Sequence, residues 1–422
     1  MLTGSEPDQE QRRGLFYDKK SQIEYGGGQV YVVSLTRRLR FCTMMYGLTA
    51  SKEERQTTGS LFSQYSVVHA NGHKVETVVS CTEENVPCIV TSHHGGLICP
   101  AGALLDWRDR ICSLPVSERN CLKCCVRAIR WGAMFYPFWR AVPYRLRLAI
   151  GAVASRLPFV PFLTPVALTS RSIARKRQDM ATIAQADRII APSRAIQRAL
   201  ERNGFPPDKI RFVPHGIPLL DRQPLTPGLG QRPVRLFYLG RINRVKGLHV
   251  LLEALQGISP SLFELHVFGQ AVTKPERRYE RRLQRMAAGM PVKWRGPVAH
   301  DAVAGAIASC DVMVHPAICL EVFGLTLLES FSVGRPVVAT RCGGPDEIIR
   351  DGVDGLLVPP NNAAALGAAL RGLLEAPNRI LDLAAGIQTP RSIEQHVNDL
   401  MAVYREVMRN GEEEPRICIV AG

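Results

Sequence analysis

The chain of 422 residues is 46% apolar, which is enough for two domains that each bury a core. No apolar run reaches the roughly 18 uncharged residues of a spanning helix, and the first residues are too rich in Asp, Glu and Gln for a signal sequence. Twelve cysteines in a chain of this size are too few for a disulfide scaffold. These features favour a cytosolic protein with reduced thiols.

The start of the chain is weakly patterned. Residues 14–17 form a short apolar run, and three glycines at 26–28 are followed by Leu35 and Leu39 at helical spacing. Glycine lets the backbone approach a phosphate closely, although three glycines in a row are also typical of a flexible loop. Residues 40–64 show no clear alternation of strand and helix. The sequence therefore gives no clear prediction of structure for the first 64 residues.

A strand is predicted over residues 89–92, and it runs into a loop that begins with His93 and His94. A histidine at such a strand end can meet a ligand. An isolated histidine is more often a structural residue, and the two adjacent rings leave the choice between them open.

Five cysteines follow between residues 99 and 125. Cys121 and Cys124 have the spacing of a metal-binding knuckle, and with Cys99 and Cys112 they could supply four thiolates to a structural zinc ion. The upstream spacing is irregular, and free cysteine also serves as a small apolar side chain in a core. Apolar packing is therefore the alternative to zinc.

Residues 121–180 form what we call the basic aromatic segment. It holds eleven Lys and Arg residues against one acid, a net charge of +10 out of +15 for the chain, with aromatic and proline residues interleaved. This composition is typical of a segment that lies on an anionic membrane surface. A face that binds RNA or single-stranded nucleic acid and a core helix pair with solvated arginines are the alternatives. No nucleic-acid-binding motif is visible.

The second half of the chain alternates short apolar runs with helical segments. Runs at 232–240, 263–269, 311–316 and 334–340 predict buried strands, and hence a parallel sheet with helices on both faces. Arg241 and Lys246 follow the first of these strands, before a helix predicted over residues 248–255. Ligands bind at the carboxyl ends of strands in open α/β sheets, so both cations are candidate ligand contacts.

Glu321 and Glu329 enclose the sequence Phe323, Gly324 and Leu325. This pattern predicts a loop that leads directly into a helix N-terminus, whose unpaired N–H groups and positive dipole end suit a phosphate. Both carboxylates could face one ligand. The alternative is a capped surface helix with solvated glutamates.

Together these motifs resemble the family 4 retaining glycosyltransferases. The resemblance rests on the Glu-x(7)-Glu pair, the Gly-Arg…Lys-Gly loop and the Gly-x-Pro-Val strand, and it extends to residues 186–193, 209–217 and a predicted helix over 392–408, about two thirds of the chain. It implies the GT-B fold: α/β, with two Rossmann-like parallel-sheet domains facing a cleft. The implied parts are an acceptor-side domain over residues 1–222, a donor domain over 223–388, and a helix and tail over 389–422 that pack back toward the first domain.

The resemblance also implies the roles of the site residues. The donor would be a nucleotide diphosphate-sugar, linked to UDP or GDP, and no cofactor would be required. Arg241 and Lys246 would hold the phosphates, Glu321 and His93 the sugar, and Glu329 the ribose. The remaining donor contacts would be Gly26, Gly27, Phe323, Gly324 and Leu325.

The chain contains no Asp-x-Asp pair, the usual carboxylate site for a divalent metal, and the resemblance implies metal-independent transfer with retained configuration. The expected partners are a lipid-linked or glycan acceptor and an anionic membrane surface at the inner face of the plasma membrane, without nucleic acid. A nucleotide-sugar epimerase, a glycoside phosphorylase and a non-catalytic membrane scaffold are the alternatives. Intact Arg241, Lys246, Glu321 and Glu329 argue against the scaffold.

Overall fold

A computed structural model describes residues 29–34, 62–129, 132–157, 160, 163–225, 227–408 and 416–421. Within these residues, two parallel β-sheets of six strands each form the centres of two α/β units. The predicted class of fold, two parallel-sheet α/β domains, is confirmed.

The first sheet has the strand order β1-β12-β2-β3-β4-β5. Its strands are β1 (Gln29–Ser34), β2 (Val67–Ala70), β3 (Cys88–Thr91), β4 (Arg188–Ala191), β5 (Ile210–Phe212) and β12 (Arg416–Ala421). Its helices are α1 (Lys74–Glu84), α2 (Glu118–Arg127), α3 (Gly132–Ala141), α4 (Tyr144–Ala154), α5 (Leu163–Ile183) and α6 (Arg194–Arg202).

Strand β12 comes from the tail of the chain and lies between β1 and β2, with Ile417 opposite Val30 on one side and Val67 on the other. Cys418 and Val420 join the core on one face of the sheet, and Ile417 and Ile419 join the core on the other. The sequence analysis treated this stretch only as a tail, because it is one short apolar run after a charged stretch.

The second sheet has the strand order β11-β10-β9-β6-β7-β8. Its strands are β6 (Val234–Leu239), β7 (Phe263–Phe268), β8 (Val292–Gly296), β9 (Val312–His315), β10 (Val337–Thr340) and β11 (Gly355–Val358). Its helices are α7 (Leu248–Leu255), α8 (Lys274–Met286), α9 (Val303–Ala308), α10 (Leu325–Val333), α11 (Gly344–Ile348), α12 (Ala363–Leu374) and α13 (Asn378–Gly386). The chain order runs outward in both directions from β6, so a topological switch point lies between β6 and β9.

The chain crosses between the two sheets twice, after β5 and after α13. After the second crossing, helix α14 (Ile393–Val407) packs on the first sheet, where Val397, Leu400 and Tyr404 meet core residues of its strands. The predicted boundaries at residues 222 and 388 lie within these crossings, and the division into domains there remains a prediction.

Candidate functional site

The switch point of the second sheet holds a half-buried ion pair. Lys246 lies on the loop after β6, where the Asn243 side chain accepts a hydrogen bond from its backbone N–H over 3.1 Å. Its ammonium nitrogen, Nζ, lies 2.6 Å from Oε2 of Glu321. Gly247 has φ of 74°, and a Cβ there would lie 1.8 Å from the Pro316 carbonyl oxygen. Glycine therefore lets the β6 loop press against the end of β9.

The backbone of Glu321 is fixed by the segment that follows β10. Its N–H donates to the Cys342 carbonyl over 2.7 Å, and its carbonyl accepts from the Gly344 N–H over 3.0 Å. These bonds hold the carboxylate at the carboxyl end of the sheet, immediately before α10.

His315 ends β9 and lies beside the same carboxylate, with 3.6 Å between its Nε2 and Glu321 Oε2. The ring is buried, and its Nε2 has no hydrogen-bond partner among the described residues. The sequence analysis missed His315 as a site residue. The available signal was a histidine at the carboxyl end of the strand predicted over residues 311–316.

The pair stays ionised over a wide pH range. Burial alone would raise the pKa of Glu321, but the positive charge of Lys246 and the contact with His315 hold it well below its usual range. Burial would likewise lower the pKa of Lys246, but the charge and hydrogen bond of Glu321 raise it. The site therefore presents one ammonium and one carboxylate, each of which stabilises the other.

Helix α10 begins directly beside this pair. Gly324 is its N-cap, and the Gly324 carbonyl accepts a hydrogen bond from the Leu327 N–H over 3.0 Å. The N–H groups of Leu325 and Thr326 precede the helical hydrogen bonds. Glu329 lies in the second turn and is half-buried. A phosphate at this terminus would meet backbone donors, the helix dipole and the Lys246 ammonium together. The predicted loop into a helix N-terminus is what the structure contains.

Arg241 lies on the same loop but makes a different contact. Its Nε is 2.8 Å from Oε1 of Glu276, and its side chain is half-exposed. Glu276 belongs to the first turn of α8, where it also forms the capping box with Thr273. The structure thus pairs Arg241 with Glu276 and Lys246 with Glu321, and the phosphate role of Arg241 stays a prediction.

His93 follows β3 and lines a cavity of about 130 Å³ with three more histidines, His69, His215 and His396. His94 is not among the residues that line it. The His93 Nε2 lies 2.7 Å from Oδ1 of Asn71. Removal of water by the surrounding protein lowers the pKa of His93, although its ring keeps an exposed surface in the cleft. His93 is therefore neutral and open to a ligand.

Two further contacts join the two units. Glu347 of α11 accepts hydrogen bonds from the N–H groups of Arg194 and Ala195, at 2.9 and 3.0 Å, at the start of α6. Arg244, on the Lys246 loop, pairs with Asp109 of the first unit. The two sheets therefore face each other with their carboxyl-end loops in contact.

Two predicted groups lie elsewhere. Gly26 and Gly27 fall outside the described residues, and β1 begins directly after Gly28. Among the residues that the structure describes, no group of three or more His, Cys, Asp or Glu side chains could hold a metal ion. Zinc is thus not supported at the four predicted positions: Cys99, Cys112, Cys121 and Cys124. Cys99 and Cys121 pack against the first core, and burial raises the pKa of Cys121 to about 11, which suits apolar packing.

Two family models match the chain. Residues 233–376 match the model described as glycosyl transferases group 1, and residues 133–219 match the model described as glycosyltransferase family 4. The chain belongs to the family 4 glycosyltransferases. The predicted resemblance is thereby confirmed.

Curated relatives are about one third identical to the chain over the aligned residues, which make up about half of each protein. It is 33% identical to a D-inositol 3-phosphate glycosyltransferase of Geodermatophilus obscurus over 53% of each chain. It is 31% identical to a phosphatidyl-myo-inositol mannosyltransferase of Mycobacterium leprae, over 48% of this chain and 54% of the relative. The chain spans about half the length of these curated relatives.

Solved structures share the fold at low sequence identity. Anabaena HepE in complex with UDP and glucose has a TM-score of 0.56 and 16% identity, covering 81% of this chain and 78% of that chain. A sucrose-phosphate synthase from Thermosynechococcus elongatus has a TM-score of 0.51 and 18% identity, covering 81% and 98%. These neighbours confirm the predicted GT-B fold.

The Lys246–Glu321 pair should contribute to the free energy of unfolding. In Lys246→Met the Glu321 carboxylate loses its partner, and we expect the free energy of unfolding to fall by about 3 kcal/mol at pH 7. The unpaired carboxyl then has a raised pKa, so the loss should shrink as the pH falls toward 5 and the group takes up a proton. Urea denaturation at both pH values measures this.

The matched control is the double variant Lys246→Met with Glu321→Gln, which leaves no charge behind. It should regain much of the stability at pH 7 and lose the extra pH dependence. An equal loss of unfolding free energy in Lys246→Met at pH 5 and pH 7 would contradict the stabilisation of the Glu321 carboxylate by Lys246.

Proposed function

We propose that the protein is a retaining, metal-independent glycosyltransferase. It moves a hexosyl unit from a nucleotide diphosphate-sugar to a lipid-linked or glycan acceptor at a membrane surface. The observation that carries this proposal is the Lys246–Glu321 pair, half-buried at the switch point beside the N-terminus of α10. A site with an ammonium, a helix N-terminus and a carboxylate matches a donor that presents phosphates next to sugar hydroxyls.

The charge of the departing diphosphate determines the chemistry of the reaction. The bond between the anomeric carbon and the phosphate oxygen breaks, and the acceptor hydroxyl forms a bond to the same face of the sugar. The acceptor proton passes to the departing phosphate. Lys246 and the first N–H groups of α10 stabilise the negative charge where it develops, and no nucleophile from the protein is needed.

The two carboxylates of the site have separate roles. Glu321 is ionised and accepts hydrogen bonds from sugar hydroxyls, while Lys246 keeps donors for the phosphate. Glu329, further along α10, accepts from the ribose hydroxyls. His93 donates to or accepts from the sugar across the cleft. Contact between the two units at the cleft excludes water, which suppresses hydrolysis of the donor.

The comparisons support a nucleotide-sugar donor. The solved neighbours include complexes with UDP and UDP-glucose, and the relatives' names describe sugar transfer to inositol-containing acceptors. We propose a donor linked to UDP or GDP, and no further cofactor.

The basic aromatic segment supports a membrane-bound acceptor. Met134 and Phe138, one turn apart on α3, are 64% and 76% exposed. The large apolar side chains that the structure leaves exposed in this region are Met134, Phe138, Tyr144, Leu146, Val153, Leu157, Val160 and Leu163. Exposed apolar residues among arginines are typical of a surface that inserts into an anionic lipid interface.

Not every cation of this segment is available to lipid. Arg147 is buried, and its guanidinium pairs with Glu118 at 3.0 Å and donates to carbonyls at the end of α3. Lys176 donates to the Gly96 carbonyl over 2.8 Å. The exposed arginines at 140, 145, 156 and 171 carry the attraction to anionic lipid. None of the described helices is both long and apolar enough to cross a bilayer. We propose peripheral binding at the cytoplasmic face.

The transferase proposal predicts separate effects for the donor-site residues. Lys246→Ala should lower kcat by about 10² because a cation is lost where charge develops. Glu321→Gln should also mainly lower kcat, whereas Glu329→Gln should mainly weaken binding of the free nucleotide. Transfer of radiolabelled sugar to a lipid-extractable acceptor and calorimetric titration with nucleotide measure the two effects.

Arg241→Ala tests the predicted phosphate role of Arg241 in the same series. This substitution also removes the ion-pair partner of Glu276. The control is Arg371→Ala, which removes an exposed arginine of α12 whose side chain donates to the Gly257 carbonyl. Near-wild-type turnover in Lys246→Ala would refute the assignment. Formation of a free epimer or a sugar phosphate, in place of a glycosylated acceptor, would indicate an epimerase or a phosphorylase.

The membrane proposal predicts a charge-dependent loss of binding. Changing Arg140, Arg145, Arg156 and Arg171 together to Gln should lower binding to anionic vesicles at least tenfold, because each cation near the surface contributes about 1 kcal/mol. Nucleotide binding should not change. Co-sedimentation with phosphatidylglycerol-containing and pure phosphatidylcholine vesicles, at low and high salt, measures it.

A matched quadruple variant is available on α8, where Arg278, Arg281, Arg282 and Arg285 are also exposed. Their replacement by Gln removes the same charge and should leave sedimentation unchanged. Equal losses in both variants would mean that net charge alone, rather than the basic aromatic segment, attracts the lipid.

A further inference from the structure

The two crossings between the units pair with each other beside the histidine cavity. Ile217 forms a parallel bridge with Ser392, and the Ile393 N–H donates to the Ile217 carbonyl over 2.8 Å. A Cβ on Gly216 would lie 1.9 Å from the Ser392 carbonyl oxygen, so only glycine permits this approach. The backbone at His215 is therefore fixed by the junction of the two crossings.

The His215 ring contacts three rings from three different parts of the chain. It stacks on His93, with 5.4 Å between centroids and 12° between planes. It meets Phe323 at 5.4 Å and His396 at 5.2 Å in edge-on geometry. One ring thus joins the loop after β3, the loop before α10 and helix α14.

The same contact limits the orientation of His93. Asn71 holds the Nε2 edge of that ring over 2.7 Å, and His215 covers one of its faces. A flip of the His93 ring would break the hydrogen bond to Asn71, and a tilt of the ring would break the stacking on His215. The orientation of His93 therefore depends on His215.

We propose that His215 is a positioning residue. It holds the His93 ring against Asn71. It also fixes the position of that ring relative to Phe323, which lies two residues beyond Glu321. This inference rests on the proposed function, in which His93 and Glu321 contact one sugar from opposite units. The role is to fix the separation of two contacts rather than to bind the donor.

Loss of the ring should therefore affect turnover more than binding. A misplacement of about 1 Å at a reacting centre costs about 10²-fold in rate. We expect His215→Ala to lower kcat by about this factor, with little change in KM for the donor or in nucleotide affinity. His215→Phe keeps the stacking ring and should restore most of the turnover.

The control for loss of a histidine ring is His266→Ala. His266 lies within β7 and pairs with Glu264, away from both crossings. This variant should lose stability without a selective loss of kcat. If His215→Phe is as inactive as His215→Ala, or if kcat and KM change in proportion in both, His215 does not act by positioning His93.

A second readout does not depend on activity. In ¹⁵N NMR of the histidine rings, His93 of the wild type should show a protonated Nε2 hydrogen-bonded to Asn71 and a lowered pKa. In His215→Ala that signal should broaden and the pKa should rise toward about 6.5, while His215→Phe should resemble the wild type. An unchanged His93 signal in His215→Ala would overturn the positioning role. If the wild type transfers no sugar but these ring changes occur, the proposed function fails and the positioning role stands.

Discussion

The structure depends on one half-buried interaction, the ion pair between Lys246 and Glu321. Each member would be costly to bury alone, because an unpaired charge in a protein interior loses its hydration without compensation. The two residues come from loops on either side of the switch point, so the pair ties the loop after β6 to the segment between β9 and α10. The same contact sets a cation beside a helix N-terminus, an arrangement that suits an anion.

The second constraint is the junction between the two units. The paired crossings at Ile217 and Ser392 fix where the first sheet ends and α14 begins, and the rings of His93, His215 and His396 pack directly against that junction. The proposed reaction needs contacts to one sugar from residues of two separate cores. Close packing at the junction transmits the position of one unit to the other, because packed interiors resist gradual deformation.

Much of the second unit could be predicted from the sequence, because its central strands are continuous apolar runs and each is followed by a glycine or charged loop. Strand β8 was not predicted, since Lys293 and Arg295 alternate with half-buried residues as in an edge strand. The first unit was harder, because β12 pairs across nearly the whole chain length and no local pattern records such a partner. His215 was missed for the same reason, because its importance lies in contacts between distant segments. The zinc interpretation came from spacing alone, which does not reveal whether the thiols converge.

The phosphate site is proposed to consist of the Lys246–Glu321 pair and the start of α10. A crystal structure of the full chain with UDP or GDP tests this assignment. We expect a diphosphate oxygen within hydrogen-bonding distance of Lys246 Nζ and of a backbone N–H in the first turn of α10, with the ribose near Glu329. A nucleotide bound elsewhere, such as along the arginines of α8, with Lys246 and α10 making no phosphate contact, would contradict it.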